Sequence, residues 1–184
     1  MAKKKNNFSL GFVVSCVACL LAIAGFCMVF TNGFIYTEGS ASIFGISASG
    51  KVSYPGLGVI FGGTYDVIVS QTNNITGSSS STTSADFVFN TIGCIAFILA
   101  LVGGVAGIFG SKNKFVALVA VILALAGAIM VFFTVNGYAI ANSTDNVKLD
   151  PNDFKWGVGL IVAIICFCLE TLVLCFNAYK AFKK

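Results

Sequence analysis

Residues Phe87–Asn136 read FVFNTIGCIAFILALVGGVAGIFGSKNKFVALVAVILALAGAIMVFFTVN, two apolar runs joined by the short turn Gly110-Ser111-Lys112-Asn113-Lys114. The runs, Phe87 to Phe109 and Phe115 to Asn136, hold 23 and 22 residues without a charge or a proline. A helix rises ~1.5 Å per residue and a bilayer's hydrocarbon core is ~30 Å thick, so each run can cross. The turn between them is too short for anything but antiparallel neighbours, and Gly110 suits the end of the first helix. Lipid gives helices no hydrophobic reason to associate, so close packing must come from small residues. Ala100-x-x-x-Gly104 and Gly103-x-x-x-Gly107 supply them on the first run. Ala117, Ala120, Ala124, Gly127 and Ala128 supply them on the second. Gly103, Gly104, Gly107, Ala120 and Ala124 are therefore the candidate packing positions of a tight helical hairpin.

Two more runs of 23 residues, Phe8 to Phe30 and Trp156 to Ala178, flank the pair, and both prolines, Pro55 and Pro151, fall outside all four. The chain is 57% hydrophobic and 10% charged, with a mean hydropathy of +0.94. Soluble domains carry about a quarter charged residues. The expected fold is an α-helical integral membrane protein: a four-helix transmembrane bundle with a small extracellular antiparallel β-sheet in its first outer loop. Val13-Val14-Ser15-Cys16 after Lys3 to Lys5 has the look of a lipoprotein leader. The apolar run continues 14 residues beyond Cys16, however, and so is read as a retained helix.

Lysine sets the orientation, because positively charged short loops stay cytoplasmic. Lys3, Lys4, Lys5, Lys112, Lys114, Lys180, Lys183 and Lys184 lie on one side of the spans; Lys51, Lys148 and Lys155 share the other with every Asp and with Glu38. The resulting layout has a cytoplasmic N-terminus (1–7), spans at 8–30 and 87–109, an outer loop at 31–86 and a cytoplasmic turn at 110–114. Spans at 115–136 and 156–178 enclose a short outer loop at 137–155, and the tail 179–184 is cytoplasmic. The expected location is the cell membrane, multi-pass, of a bacterium with a Lys-rich proteome. The net charge of +4 reflects this topology and implies no nucleic-acid partner.

Within the long loop, 33–70 alternates β-formers with Gly and Ser. Its candidate strands are Phe34–Thr37, Ser42–Ile46, Val52–Tyr54, Val59–Phe61 and Thr64–Val69, with turn signals at Ser49-Gly50, Pro55-Gly56 and Gly62-Gly63. Three to five short strands are expected, one face buried on the helix ends. The Ser/Thr-rich stretch 71–85 is expected to be a flexible tether. Asn74-Ile75-Thr76 and Asn142-Ser143-Thr144 match the glycosylation acceptor pattern, which is short and common. Asp150-Pro151-Asn152-Asp153 reads as the start of the fourth helix, with Asp as N-cap and Pro at its first position. Trp156 and Tyr138 are the candidate anchors at the outer interface.

Glu170 is the one charge within the four runs. Ionised in lipid it would cost a few kcal/mol or more, so it should face the bundle interior, find a partner or be protonated. Depth counted from Ala178 sets it level with Ser15 to Cys19, Leu101 to Gly104 and Leu123 to Ala124, and Ser15 is the expected hydrogen-bond partner. All seven cysteines lie in the apolar runs, so neither outer loop has a disulfide, and they are read as small packing residues. All 11 basic residues are lysine and there is no His. That excludes a His-based triad, a His-ligated metal and an arginine clamp on phosphate. No catalytic, metal or cofactor site is expected.

Four spans with cytoplasmic ends, a long strand-bearing first outer loop and a short second one resemble the claudin-type tetraspan layout over most of the chain. The claudin signature, a first-loop Trp motif followed by two cysteines, is missing: the single Trp is Trp156 and the loop has no Cys. No functional residue carries over. The expected role is non-enzymatic, structural or interactive, with a membrane-protein partner or another copy engaging residues 33–70. The alternative is a small channel or transporter subunit built on Glu170. In intact cells an impermeant thiol reagent should label a Ser70→Cys variant and miss a Lys180→Cys variant; labelling of the tail would reverse the topology.

Overall fold

A computed structural model of the chain describes residues 10–43, 46–75, 77–110, 113–144 and 148–183. Four of its helices are long and apolar enough to cross a membrane: α1 (Leu10–Cys27, prolonged by a 3-10 turn to Phe30), α3 (Thr91–Gly110), α4 (Lys114–Val131) and α6 (Val158–Phe182). The four pack in the ring α1–α3–α4–α6, and α3 also meets α6 across its centre. The short helices α2 (Gly56–Phe61) and α5 (Thr134–Asn142) lie at one end of the ring, beneath a five-stranded antiparallel sheet. Its strands are β1 (Ile35–Ile43), β2 (Ile46–Tyr54), β3 (Gly63–Asn73), β4 (Gly77–Phe87) and β5 (Phe154–Trp156), in the order β4-β3-β2-β1-β5.

Small residues set the helix register. A Cβ on Gly103 would lie 2.7 Å from the Ala124 nitrogen, one on Gly127 2.6 Å from the Ala100 nitrogen, and one on Gly110 2.8 Å from the Ala117 Cα. The two chains therefore run antiparallel backbone against backbone along the whole α3–α4 hairpin, and Ala120 is fully buried with Ala124. The other glycines of α3 face elsewhere: Gly104 meets Ala22 and Glu170, and Gly107 receives Leu174. Gly25 on α1 admits the Phe167 ring, whose edge would stand 2.5 Å from an added Cβ. Phe97 fills the centre above, with ring centroids 5.2 Å from Phe167 and 6.0 Å from Phe34.

The sheet stands on this bundle by the bundle-proximal part of one face. Ile35, Val67, Phe87 and Phe154 are buried there. An aromatic cluster joins it to α5, with Tyr138 5.3 Å from Phe154, 5.9 Å from Tyr54 and 6.2 Å from Phe87 between ring centroids. Farther out the same face carries Gly39 opposite Gly50, where an added Cβ would meet nothing within 4 Å. The sheet thus overhangs its support.

Several elements differ from the sequence-based expectation. The stretch 71–85 is not a tether: it forms the end of β3, a hairpin turn and most of β4, paired residue for residue from Gly63↔Phe87 to Asn73↔Gly77. Ser and Thr cannot build a core, but Thr is a strand former and β3 offers a complete ladder of backbone partners. Val59–Phe61 belongs to α2, because Val59 and Ile60 plug the space between the sheet and α3. Gly62 and Gly63, at φ of +69° and +102°, then turn the chain into β3. The span expected to end at Asn136 breaks at Phe132-Phe133 and resumes as α5. Asp150 does cap, accepting from the Asn152 N–H at 2.9 Å, but only for one 3-10 turn. The chain then adds β5 to the sheet through Ile35↔Trp156 and Thr37↔Phe154 before α6 starts at Val158.

Gly127→Leu should lower the thermal midpoint in detergent sharply, since its side chain would meet the Ala100 backbone, which cannot yield; overpacking costs about 1–3 kcal/mol or more. Gly39→Ala, entering open space, is the matched control and should leave the midpoint nearly unchanged.

Candidate functional site

Two regions hold the residues singled out from the sequence: the polar set inside the bundle and the sheet above it. Glu170 is fully buried on α6, and its Oε1 would stand 3.1 Å from a Cβ on Gly104, so the carboxyl fills the notch left by that glycine. Neither carboxyl oxygen has a hydrogen-bond partner among the described residues. The expected Glu170–Ser15 bond is not made. Ser15 accepts instead from the Asn177 side-chain amide at 2.7 Å and donates to the Gly11 carbonyl at 2.9 Å. α6 continues past Ala178 to Phe182, so a depth counted from Ala178 misplaces Glu170, and Asn177, seven residues on, is the residue level with Ser15. Glu170 then meets Ala22 and Cys19 around the Gly104 notch. The interhelical polar link between α1 and α6 is therefore Ser15–Asn177, and Asn177 is the residue the sequence reading missed. Its signal was present: it lies two turns after Glu170, on the same helical face.

Asn90 and Thr134, at the sheet end of the bundle, form a structural joint. The Asn90 side-chain oxygen accepts from the Gly93 N–H at 3.0 Å, capping α3, and its amide donates to the Thr134 carbonyl at 2.9 Å. Its backbone N–H donates to the Ile60 carbonyl at 3.2 Å, so one residue ties α2, α3 and α5 together. Between this joint and Glu170 the interior is filled by Phe97, Phe167, Ala100 and Ala163, all fully buried.

The two acceptor patterns also resolve differently. Asn142 is built in: its side-chain oxygen accepts from the Val88 N–H at 2.9 Å and its amide nitrogen donates to the Tyr138 carbonyl at 3.0 Å. The nitrogen a glycan would need is already engaged. Asn74 lies at the tip of the β3–β4 hairpin, and Thr76 is outside the described residues. Of the two expected interface anchors, Trp156 is partly exposed and packs on Phe132 with centroids 5.7 Å apart. Tyr138 is not an anchor but the buried centre of the sheet–bundle aromatic cluster, and burial, with Tyr54 alongside, holds its phenol well above the ordinary range.

The solvent face of the sheet is mostly polar, with the apolar Ile68 set among its polar residues. Lys155 on β5 donates to Glu38 on β1, and Lys51 stands 3.9 Å from the centre of the Tyr36 ring. Thr64 donates to Asp86 at 2.6 Å and Ser84 to Asp66 at 2.8 Å, crossing between β3 and β4. From Gly39 to Gly50 and from Val67 to Ala85 no residue is charged. The two edges of the sheet are unlike. β5 is three residues long and carries Lys155, whereas β4 is 11 residues long, has no Pro and no Lys, and is exposed from Gly77 to Ser84. Among the described residues no strand pairs with its outer side. Natural sheets guard their edges with short strands, lysine, proline or bulges, and β4 has none of these. No group of three or more potential metal ligands occurs among the described residues. The chain matches no protein-family model and no curated protein.

The hydrogen bond from Lys155 lowers the Glu38 pKa below its ordinary value and raises that of Lys155. This link supports the fold above the usual carboxylate range and is lost as pH falls through the lowered Glu38 value. Lys155→Met should lower the neutral midpoint slightly and flatten the acid limb of stability against pH by the same small amount, as suits an exposed pair. In the bundle, Asn177→Leu should cost about 0.5–1.5 kcal/mol, and Ser15→Ala should add little to it because both remove the same bond. Glu170→Gln should be close to neutral in thermal midpoint, since no partner is lost.

Proposed function

We propose that the protein is a non-enzymatic membrane protein with a structural or interaction role, its helices a pedestal in the cell membrane and its sheet an extracellular docking element. The observation that supports this reading most is the unguarded β4 edge, held beyond a bundle that can itself cross a bilayer. The sheet is braced against its support by the Asn90 joint and by the Tyr138 cluster, as a surface presented to a partner must be. The layout is also the claudin-like one read from the sequence, now with a strand contributed by the second loop. A chain without His has no His-based nucleophile-and-base set.

The alternative is a small channel or transporter subunit, which the unbonded carboxyl oxygens of Glu170 favour. Against it stands the apolar filling of Phe97 and Phe167 between Glu170 and Asn90, which leaves no polar route through the bundle. Cross-linking in native membranes through residues 33–87 should yield one defined adduct, and recovery of the monomer alone would weigh against the interaction role. Reconstituted liposomes should show no ion or proton flux above protein-free controls. A flux abolished by Glu170→Gln at normal abundance would establish the alternative instead.

A further inference from the structure

The sense of each strand limits what can dock on β4. β1 and β3 run away from the bundle, and β2, β4 and β5 run toward it. Copies in one membrane differ only by rotation about the membrane normal and by translation, so every strand keeps its sense in every copy. A neighbour joined head to tail would bring its β4 against the β1 edge, where the senses are suitably opposed. The bundle-proximal part of that edge is occupied, however: β5 already pairs with Ile35, Tyr36 and Thr37. β4 is continuous to Phe87 and needs the same place. Two copies meeting β4 to β4 about a two-fold axis along the normal would be parallel. A parallel ladder sets each outward-facing residue opposite one that faces away. The two-fold axis sets identical residues level, so pairing needs one copy to rise by ~3.3 Å, which spans fixed in one bilayer resist.

We infer that the outer edge of β4 binds an extended segment of a separate partner polypeptide, antiparallel to β4 and so running away from the membrane, held chiefly by main-chain hydrogen bonds. This deepens the interaction role proposed above and rests on it. The side chains along β4 from Gly77 to Ala85 are Gly, Ser, Thr and Ala, which offer no pocket and no charge. Recognition is therefore of backbone and β-former, as in strand addition elsewhere. The one charge on the strand is Asp86, at its bundle end. It places a Lys or Arg of the partner near the start of the docked segment.

The test uses the full chain in native membranes with the photo-cross-linker benzoylphenylalanine placed singly at Ser78, Ser80, Thr82 or Ser84. The expected product is one adduct with a different polypeptide, whose attachment point moves toward the partner's C-terminus as the probe moves from Ser84 to Ser78. The opposite order, or adducts only with a differently tagged copy of this chain, overturns the inference. Adducts from probes at Tyr36, Lys51 or Ser53 with none from β4 reject the edge and keep the interaction role, whereas no adduct from any position rejects both. Proline at Ser79 and at Ser80 completes the test, because adjacent residues of a strand direct their N–H groups to opposite sides. One variant should lose the β3–β4 ladder. The other should keep the wild-type thermal midpoint within a few degrees and lose at least tenfold in adduct yield. Undiminished yield in both would overturn docking through the main chain.

Discussion

The close approach of backbones at small residues is the constraint on which the rest depends. Gly127 against Ala100, Gly103 against Ala124 and Gly110 against Ala117 leave α3 and α4 no other register, because each position is blocked by main chain and not by a movable side chain. The glycines of α3 that face away from α4 then receive α1 and α6: Gly104 takes Ala22 and Glu170, and Gly107 takes Leu174. One helix thus has two glycine faces and organises the ring.

The heights of the helix ends follow from that ring, and the sheet follows from the helix ends. α3 starts at the Asn90 cap, which also holds α2 and α5, so three short connections are fixed by one buried amide. β4 enters α3 directly above this point and β5 leads into α6 through Gly157, whose N–H donates to the Phe34 carbonyl at 2.8 Å. The first and second loops become one sheet because both are anchored to the same end of a rigid bundle. Closure of the β1 edge at Ile35 to Thr37 by β5, and openness on the β4 side, are consequences of chain order.

The four long helices were legible because hydropathy over ~20 residues is a strong and local signal. The packing glycines were legible for the same reason: their spacing of four repeats within one helix. What stayed hidden depended on partners distant in sequence. Ser78–Ser84 reads as linker until β3 supplies its ladder, and Phe154–Trp156 reads as a helix approach until β1 supplies one. The depth count for Glu170 failed through the end of α6, where Tyr179, Lys180 and Phe182 continue the helix beyond the apolar run. Hydropathy marks where a side chain prefers lipid, not where the backbone stops being helical. The contact with Ser15 accordingly falls on Asn177, two turns beyond Glu170.

The uncharged stretches Gly39–Gly50 and Val67–Ala85 have a kinetic meaning. A partner docking there as inferred would meet little steering field and so would associate near the neutral rate of about 10⁵–10⁶ M⁻¹s⁻¹, far below the rates that charge steering permits. Ionic strength would then act on such a complex mainly through Asp86. A partner docked there as inferred would be selected by how long the complex lasts and not by how fast it forms.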